Sequence, residues 1–140
     1  MPRLKLKPLD KYSYQTEISV RTTDLNYGGH LGNDKLLSLI HEARVAFLAN
    51  YNSSEMDFGG VSLIMADTAV VYQGEAYAGD VLIFEVAAGE PTKKGFRLFY
   101  RVTRKKDKAA IALVENGMVC FDYKNRKLKP VPEIVKKMFI

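Results

Sequence analysis

Between Thr23 and Tyr51 the chain reads TDLNYGGHLGNDKLLSLIHEARVAFLANY. Its first dozen residues, Thr23 to Asp34, hold two aspartates, two asparagines, a histidine, a tyrosine and three glycines. From Asn33 the pattern changes. Leu36, Leu39, Ile40, Ala43 and Phe47 recur at helical spacing, and Leu37, Ala46 and Leu48 widen the apolar stripe. Asn33 or Asp34 is the expected cap of a helix that runs to Tyr51. A helix of that length, apolar over most of its surface, has to be wrapped by other elements rather than laid on one side of them. The polar, glycine-rich stretch leading into it carries far more chemistry than a strand-to-helix turn needs.

Upstream, Tyr12 to Arg21 alternates, with Tyr14, Ile18 and Val20 on one side and Gln15, Glu17, Ser19 and Arg21 on the other. Only Thr16 interrupts the apolar side, so this is a half-buried strand. Downstream, YNSSEMDFGG is a loop by composition. Four strand-like segments follow: Val61 to Gln73, Asp80 to Gly89, Phe96 to Arg104, and Ala109 to Asp122. Their short connections predict antiparallel neighbours, because a parallel crossover needs about a dozen residues. The end, PVPEIVKKMF, predicts a short helix after its prolines. There is no internal repeat or linker, and 140 residues fit one domain, 1–140. The predicted class is α+β: a five-stranded antiparallel sheet wrapped around one long central helix. Such a sheet leaves an edge unpaired, and a second copy would cover it, so a homodimer or homotetramer is expected.

Composition narrows the function. Hydrophobic residues make up 47% of the chain and charged residues 26%, the balance of an ordinary globular protein. No apolar run approaches the roughly 20 residues of a membrane span, so no membrane partner is expected. MPRLKLKPLD is basic but lacks the apolar block of a signal peptide, and a cytoplasmic location follows as an expectation. Cys120 is the single cysteine, which excludes an internal disulfide and any multi-cysteine metal site; within GMVCFDY it reads as a buried hydrophobe. His30 and His41 are the only histidines, and with no ligand cluster around them no metal is expected. The net charge of +5 favours anionic partners. The basic residues are scattered or gathered in the tails, which speaks against nucleic acid. RKKDK, Arg104 to Lys108, reads as a solvated hairpin tip.

The turn has the pattern Arg21-x-x-Asp24-x-Asn26-x-x-Gly29-His30-x-x-Asn33, and Glu42-Ala43-Arg44 follows on the helix. Gly79-Asp80 opens the third strand, and KKGFRLFYRV spans Lys93 to Val102. Over essentially the whole chain this resembles the hotdog-fold acyl-CoA thioesterases of the 4-hydroxybenzoyl-CoA thioesterase-like branch. Members typically read Arg-x-x-Asp-x-Asp-x-x-Gly-His-x-Asn-Asn at the turn. The resemblance implies a hotdog fold and hydrolysis of an acyl-CoA or acyl-carrier thioester to free acid and thiol, with no cofactor. One departure matters. The second aspartate of the family's turn, often its catalytic carboxylate, corresponds here to Asn26. An amide can neither act as a base nor form an acyl anhydride.

On this resemblance the thioester oxygen sits at the helix start, near the backbone N–H of Asn33. The free N–H groups and partial positive charge of a helix N-terminus permit that independently. Gly28, Gly29 and Gly32 shape the turn, and Tyr27 covers the acyl group or packs. His30 acts as base or donor, or ties down the turn. For water activation the candidates are Asp24, whose family position is commonly structural, and Asp67, which interrupts the apolar run SLIMADTAVVY and would come from a neighbouring subunit. Alternation groups Asp67 with Met65, Ala69 and Val71. Asn26 can orient a water, and Asp34 and Glu42 are further carboxylates within reach of a dimeric site. Lys93, Lys94, Arg104, Lys105 and Lys106 are candidates for the phosphates of CoA. Two alternatives stand beside hydrolysis. One is a non-catalytic acyl-CoA binding protein that lost its base. The other is a hotdog enoyl-CoA hydratase, whose Asp-x-Asn-Pro-x-His turn DLNYGGH matches only without the proline and with one extra residue.

Overall fold

The alternation read in the first strand is realised in β1, Tyr14–Ser19, of a computed structural model that describes residues 3–140. Tyr14, Thr16 and Ile18 turn inward and Gln15, Glu17 and Ser19 are exposed. A short 3-10 turn, Thr22–Asp24, leads to α1, Asn33–Asn50. Four strands follow: β2, Ser62–Tyr72; β3, Val81–Gly89; β4, Gly95–Arg104; and β5, Ala110–Asp122. They pair antiparallel in the order β1-β3-β4-β5-β2. A two-residue strand, β6, Lys127–Leu128, adds a sixth strand to the five expected by hairpinning back onto β5. After the prolines the chain forms a 3-10 helix, Glu133–Met138, whose Val135 and Met138 are buried.

The helix lies in the concave side of the sheet. Leu36, Ile40, Ala43, Phe47 and Leu48 of α1 join Leu82, Phe84, Val86, Leu98, Tyr100, Val102 and Val114 in one buried core. Each large apolar side chain so removed from water contributes roughly 1.5–3 kcal/mol. The wrapping is incomplete on one flank. Leu37 and Val45 remain 41% and 48% exposed, and a groove of about 270 Å³ runs between α1 and Met65 and Thr68 of β2. That flank borders the free edge of the sheet, since among the described residues β2 is bonded only to β5.

β2 also corrects the alternation read from sequence. A bulge at Ala66 shifts the register between Met65 and Asp67. Met65 pairs with Met118 on the core face, whereas Asp67 pairs with Gly117 and shares the outer face with Ala69 and Val71. One extra residue therefore separates Met65 from Asp67.

The register also fixes which end of the molecule is which. Ser19, Val81, Arg104 and Tyr72 lie at one end of the sheet, where α1 begins; Tyr14, Gly89, Gly95 and Ser62 lie at the other. Residues ahead of β1 cross the outer face. The Arg101 guanidinium stacks on the Tyr12 ring at 4.9 Å, and residues 3–7 come to lie beside Val71, Tyr72 and Gln73. Among the described residues no helix is long and apolar enough to cross a membrane.

Candidate active site

The approach to α1 is a tightly bonded loop. Asp24 is buried, and its carboxylate accepts from the Arg21 backbone N–H (2.9 Å), Nε (3.2 Å) and Nη2 (3.0 Å). The bond to the Arg21 guanidinium holds the Asp24 carboxyl below its ordinary value. Leu25 and Leu31 then bridge, closing a loop over residues 26–30. Inside it the Asn26 N–H donates to the His30 carbonyl (2.8 Å) and the Gly29 N–H to the Asn26 carbonyl (3.0 Å). Gly29 has φ +81°, which favours glycine. The Asn26 side-chain Oδ1 accepts from the Gly28 N–H at 2.8 Å, an Asx turn. Tyr27 stands fully exposed at the tip.

Gly32, not Asn33 or Asp34, is the helix N-cap. It has no side chain to offer, and no side-chain cap bond is present. The first helical bond runs from the Leu36 N–H to the Gly32 carbonyl at 3.0 Å. The N–H groups of Asn33, Asp34 and Lys35 are therefore left without an acceptor inside the helix, at the positive end of an 18-residue dipole.

These donors open on a cleft of about 620 Å³ lined by Asn26, Tyr27, His30, Leu31, Asn33, Asp34, Tyr72, Gly74 and Glu75. The segment after β2 forms part of its wall and is stitched to the loop by the Leu31 N–H, which donates to the Ala76 carbonyl at 2.7 Å. The Tyr72 hydroxyl donates to the Asn33 carbonyl at 3.2 Å; burial, then the Asp34 charge, pushes this phenol up. His30 Nδ1 lies 3.3 Å from the Leu31 carbonyl oxygen. In the tautomer that bond selects, Nδ1–H donates and Nε2 carries the lone pair, 3.9 Å from Glu75 Oε1. Glu75 Oε2 accepts from the Tyr77 hydroxyl at 2.7 Å.

Of the residues expected at the site, Asn26, Tyr27, His30 and Asn33 come together on the cleft, with Gly28, Gly29 and Gly32 in the loop behind them. Asp24 is turned away toward Arg21. Asp67 lies on the outer face, where Arg97 Nη2 reaches its Oδ1 at 3.0 Å. The bare face of Gly117 makes room for this pair: a Cβ there would sit 2.5 Å from Asp67 Oδ2. Glu42 is exposed, and Arg44 is buried, bonded to Glu55 Oε1 (2.6 Å) and Asn116 Oδ1 (3.0 Å). Sequence reasoning missed Tyr72, Gly74 and Glu75. They end an apolar strand and begin an aperiodic loop, and no spacing links them to the turn.

The basic residues divide by position. Arg104 pairs with Asp80 and Asp107, and Lys105 with Glu17. Lys93 and Lys94 connect β3 to β4 at the end of the sheet remote from the cleft. Arg3, Lys5 and Lys7 instead adjoin Tyr72, which also lines the cleft, and among the described residues none of the three forms an ion pair.

A family model described as the thioesterase-like superfamily matches residues 20–139. A 1,4-dihydroxy-2-naphthoyl-CoA hydrolase of Synechococcus elongatus is 30% identical over 124 residues, 86% of this chain and 90% of that protein. The crystal structure of a 1,4-dihydroxy-2-naphthoyl-CoA thioesterase from Synechocystis superposes with a TM-score of 0.81 at 20% identity, over 89% of this chain and 93% of that one. A gentisyl-coenzyme A thioesterase gives 0.78 at 15% identity, over 91% and 100%. The shared architecture is the hotdog fold expected from the turn and the helix.

Proposed function

The chain belongs to the thioesterase-like superfamily, and we propose that it hydrolyses acyl-CoA thioesters in the cleft at the start of α1. It is an enzyme, a thioester hydrolase. One observation carries the placement: an uncapped helix N-terminus, with three N–H groups free of helical partners, opening on a cleft. The thioester carbonyl oxygen lies against the N–H groups of Asn33 and Asp34. As water attacks, negative charge builds on that oxygen, and donors already aimed at it stabilise the tetrahedral intermediate without reorganising. One such donor is worth roughly 3–4 kcal/mol of barrier.

The roles of the other residues follow from their geometry. Asp24 and Arg21 brace the loop, and Asn26 sets its turn through Gly28. His30 presents Nε2 to the cleft. Tyr27, Leu31 and Tyr72 give the acyl group aromatic and apolar walls. The three similar proteins carry the names of aromatic acyl-CoA substrates, which supports an aromatic acyl group here. The phosphates of CoA fall to Arg3, Lys5 and Lys7, next to the cleft, rather than to the hairpin and turn lysines. The working unit is a homodimer. The free edge of β2 and the exposed Leu37, Val45 and Met65 beside it form one surface that a second copy covers.

The test is a thiol-release assay of the purified protein against short-chain, long-chain and aromatic acyl-CoAs. Turnover is expected, fastest on the aromatic thioesters. No turnover across the panel, with acyl-CoA binding retained, would move the reading to a binding protein.

A further inference from the structure

We propose that Glu75 is the general base that activates the attacking water, supplying from another segment the carboxylate that the turn lacks at Asn26. This rests on the thioesterase reading of the cleft. Asp24 is committed to Arg21 through three bonds, and Asp67 is held by Arg97 on the outer face of the sheet. Two carboxylates line the cleft, Asp34 and Glu75. Asp34 belongs to the first turn of α1, beside the N–H groups that receive the carbonyl oxygen. Its charge stabilises the helix start but repels an oxyanion forming there.

Glu75 is placed differently. It sits on the segment after β2, away from the oxyanion donors but on the same cleft. Its position is fixed at three points. Oε2 accepts from the Tyr77 hydroxyl at 2.7 Å, the backbone carbonyl accepts from Arg104 Nη1 at 2.8 Å, and the next residue bonds the loop through Leu31. Oε1 is left facing His30 Nε2 at 3.9 Å. That separation exceeds a direct hydrogen bond and suits a water shared by the two groups.

The step balances without a cofactor. Glu75 takes a proton from water as the water oxygen bonds to the thioester carbon, and the carbonyl electron pair moves to the oxygen held at Asn33 and Asp34. The intermediate collapses, the C–S bond breaks, and the proton held by Glu75 passes to the leaving thiolate. The products are the free acid and the thiol. His30 Nε2 accepts a hydrogen bond from the same water and orients it.

The experiment compares Glu75→Gln and Glu75→Ala with the parent protein on one acyl-CoA that the parent hydrolyses, with circular dichroism to confirm the fold. Glu75 is 59% exposed, so both variants are expected to fold. Turnover should fall about 100-fold or more in each, the usual scale for a lost general base, with KM little changed. Added formate should restore part of the turnover of Glu75→Ala and none of that of Glu75→Gln, because only the alanine leaves a space for a small carboxylate. A glutamine variant that keeps parental turnover, or a loss carried by KM alone, overturns the assignment of Glu75 while leaving the thioesterase reading intact. A Glu75→Ala loss that formate does not relieve also overturns it. Failure of the parent protein to hydrolyse any acyl-CoA defeats the thioesterase reading itself.

Discussion

Gly32 opens α1 from extended backbone, φ −69° and ψ 147°, a conformation that serine adopts without strain. In Gly32→Ser the new hydroxyl would accept from the N–H of Asp34 or Lys35, of which the Asp34 group is one of the two assigned to the thioester oxygen. The gain in helix stability is small, a few tenths of a kcal/mol for serine over glycine at an N-cap. Against it stands one close approach, since the new Cβ would lie 2.8 Å from Asp34 Oδ1. That atom ends a short exposed side chain and can swing aside. Stability should therefore barely move, while turnover falls by about 10²–10³, the loss of one oxyanion donor. Gly32→Ala is the control, because it brings the same Cβ and the same contact with Asp34 but nothing that caps. It should cost up to about 1 kcal/mol of stability and keep most of the turnover. Thermal melts and thiol release on one acyl-CoA measure both quantities. If the serine variant kept parental turnover, or the alanine variant fell as far as the serine one, the carbonyl would not sit on these donors.

Replacing Arg3, Lys5 and Lys7 together with alanine should raise KM for acyl-CoA about tenfold, three modest surface attractions combined, and leave hydrolysis of the matching acyl-pantetheine unchanged. Equal effects on both substrates would remove the phosphates from this arm. The Asp24 carboxyl is held below its ordinary value in the fold, so its stabilisation is present above about pH 4 and is lost as pH falls through the lower folded value. Asp24→Asn should therefore be less stable than the parent at pH 7, with the gap between their melting temperatures closing below about pH 4. A gap independent of pH would mean that packing, not charge, holds the turn. Leu37→Lys with Val45→Lys, both exposed in the protomer, should convert a dimer to a monomer in light scattering without loss of helix by circular dichroism. A double variant that stays dimeric would place the interface elsewhere.

The fold was legible because its strongest signals are local and repeat. The apolar residues of α1 keep helical spacing, β1 alternates cleanly, and the short connections leave only antiparallel neighbours. The candidate site was legible where it is contiguous: Asn26, Tyr27, His30 and Asn33 line one cleft. Sequence reasoning lost ground wherever one residue changes the geometry. A cap among Asn33 and Asp34 is chemically reasonable, yet the helix starts one residue earlier, on the one residue type there that cannot cap with a side chain. Alternation places Asp67 with Met65 only while the strand is regular, and the bulge at Ala66 turns it to the outer face. Glu75 left no trace because its relation to His30 is made by the return of the chain after β2, not by any spacing along it. Arg44 is buried, its guanidinium met by Glu55 and Asn116 from distant segments that no spacing along the chain links to it.

A helix start without a side-chain cap is a slight local weakness, a few tenths of a kcal/mol for glycine against serine, and the surrounding bonds show why the fold tolerates it. The loop before α1 is tied to itself by Asp24 with Arg21, to the helix by the Gly32 N–H on the Asp24 carbonyl at 3.0 Å, and to the segment after β2 through Leu31 and Ala76. That segment is in turn pressed onto β5: at Gly74 a Cβ would come within 2.5 Å of the Ala110 carbonyl, so only glycine allows the approach. Helix start, loop and the Glu75 backbone are thus tied together. Rigid placement of this kind matters more than which segment provides the carboxylate, because hydrolysis asks only that a base and an oxyanion site face one carbonyl at fixed spacing. In such a frame an aspartate in the loop and a glutamate across it solve the same problem. Asn26 then marks a change in where the base comes from, with its amide left to hold the turn.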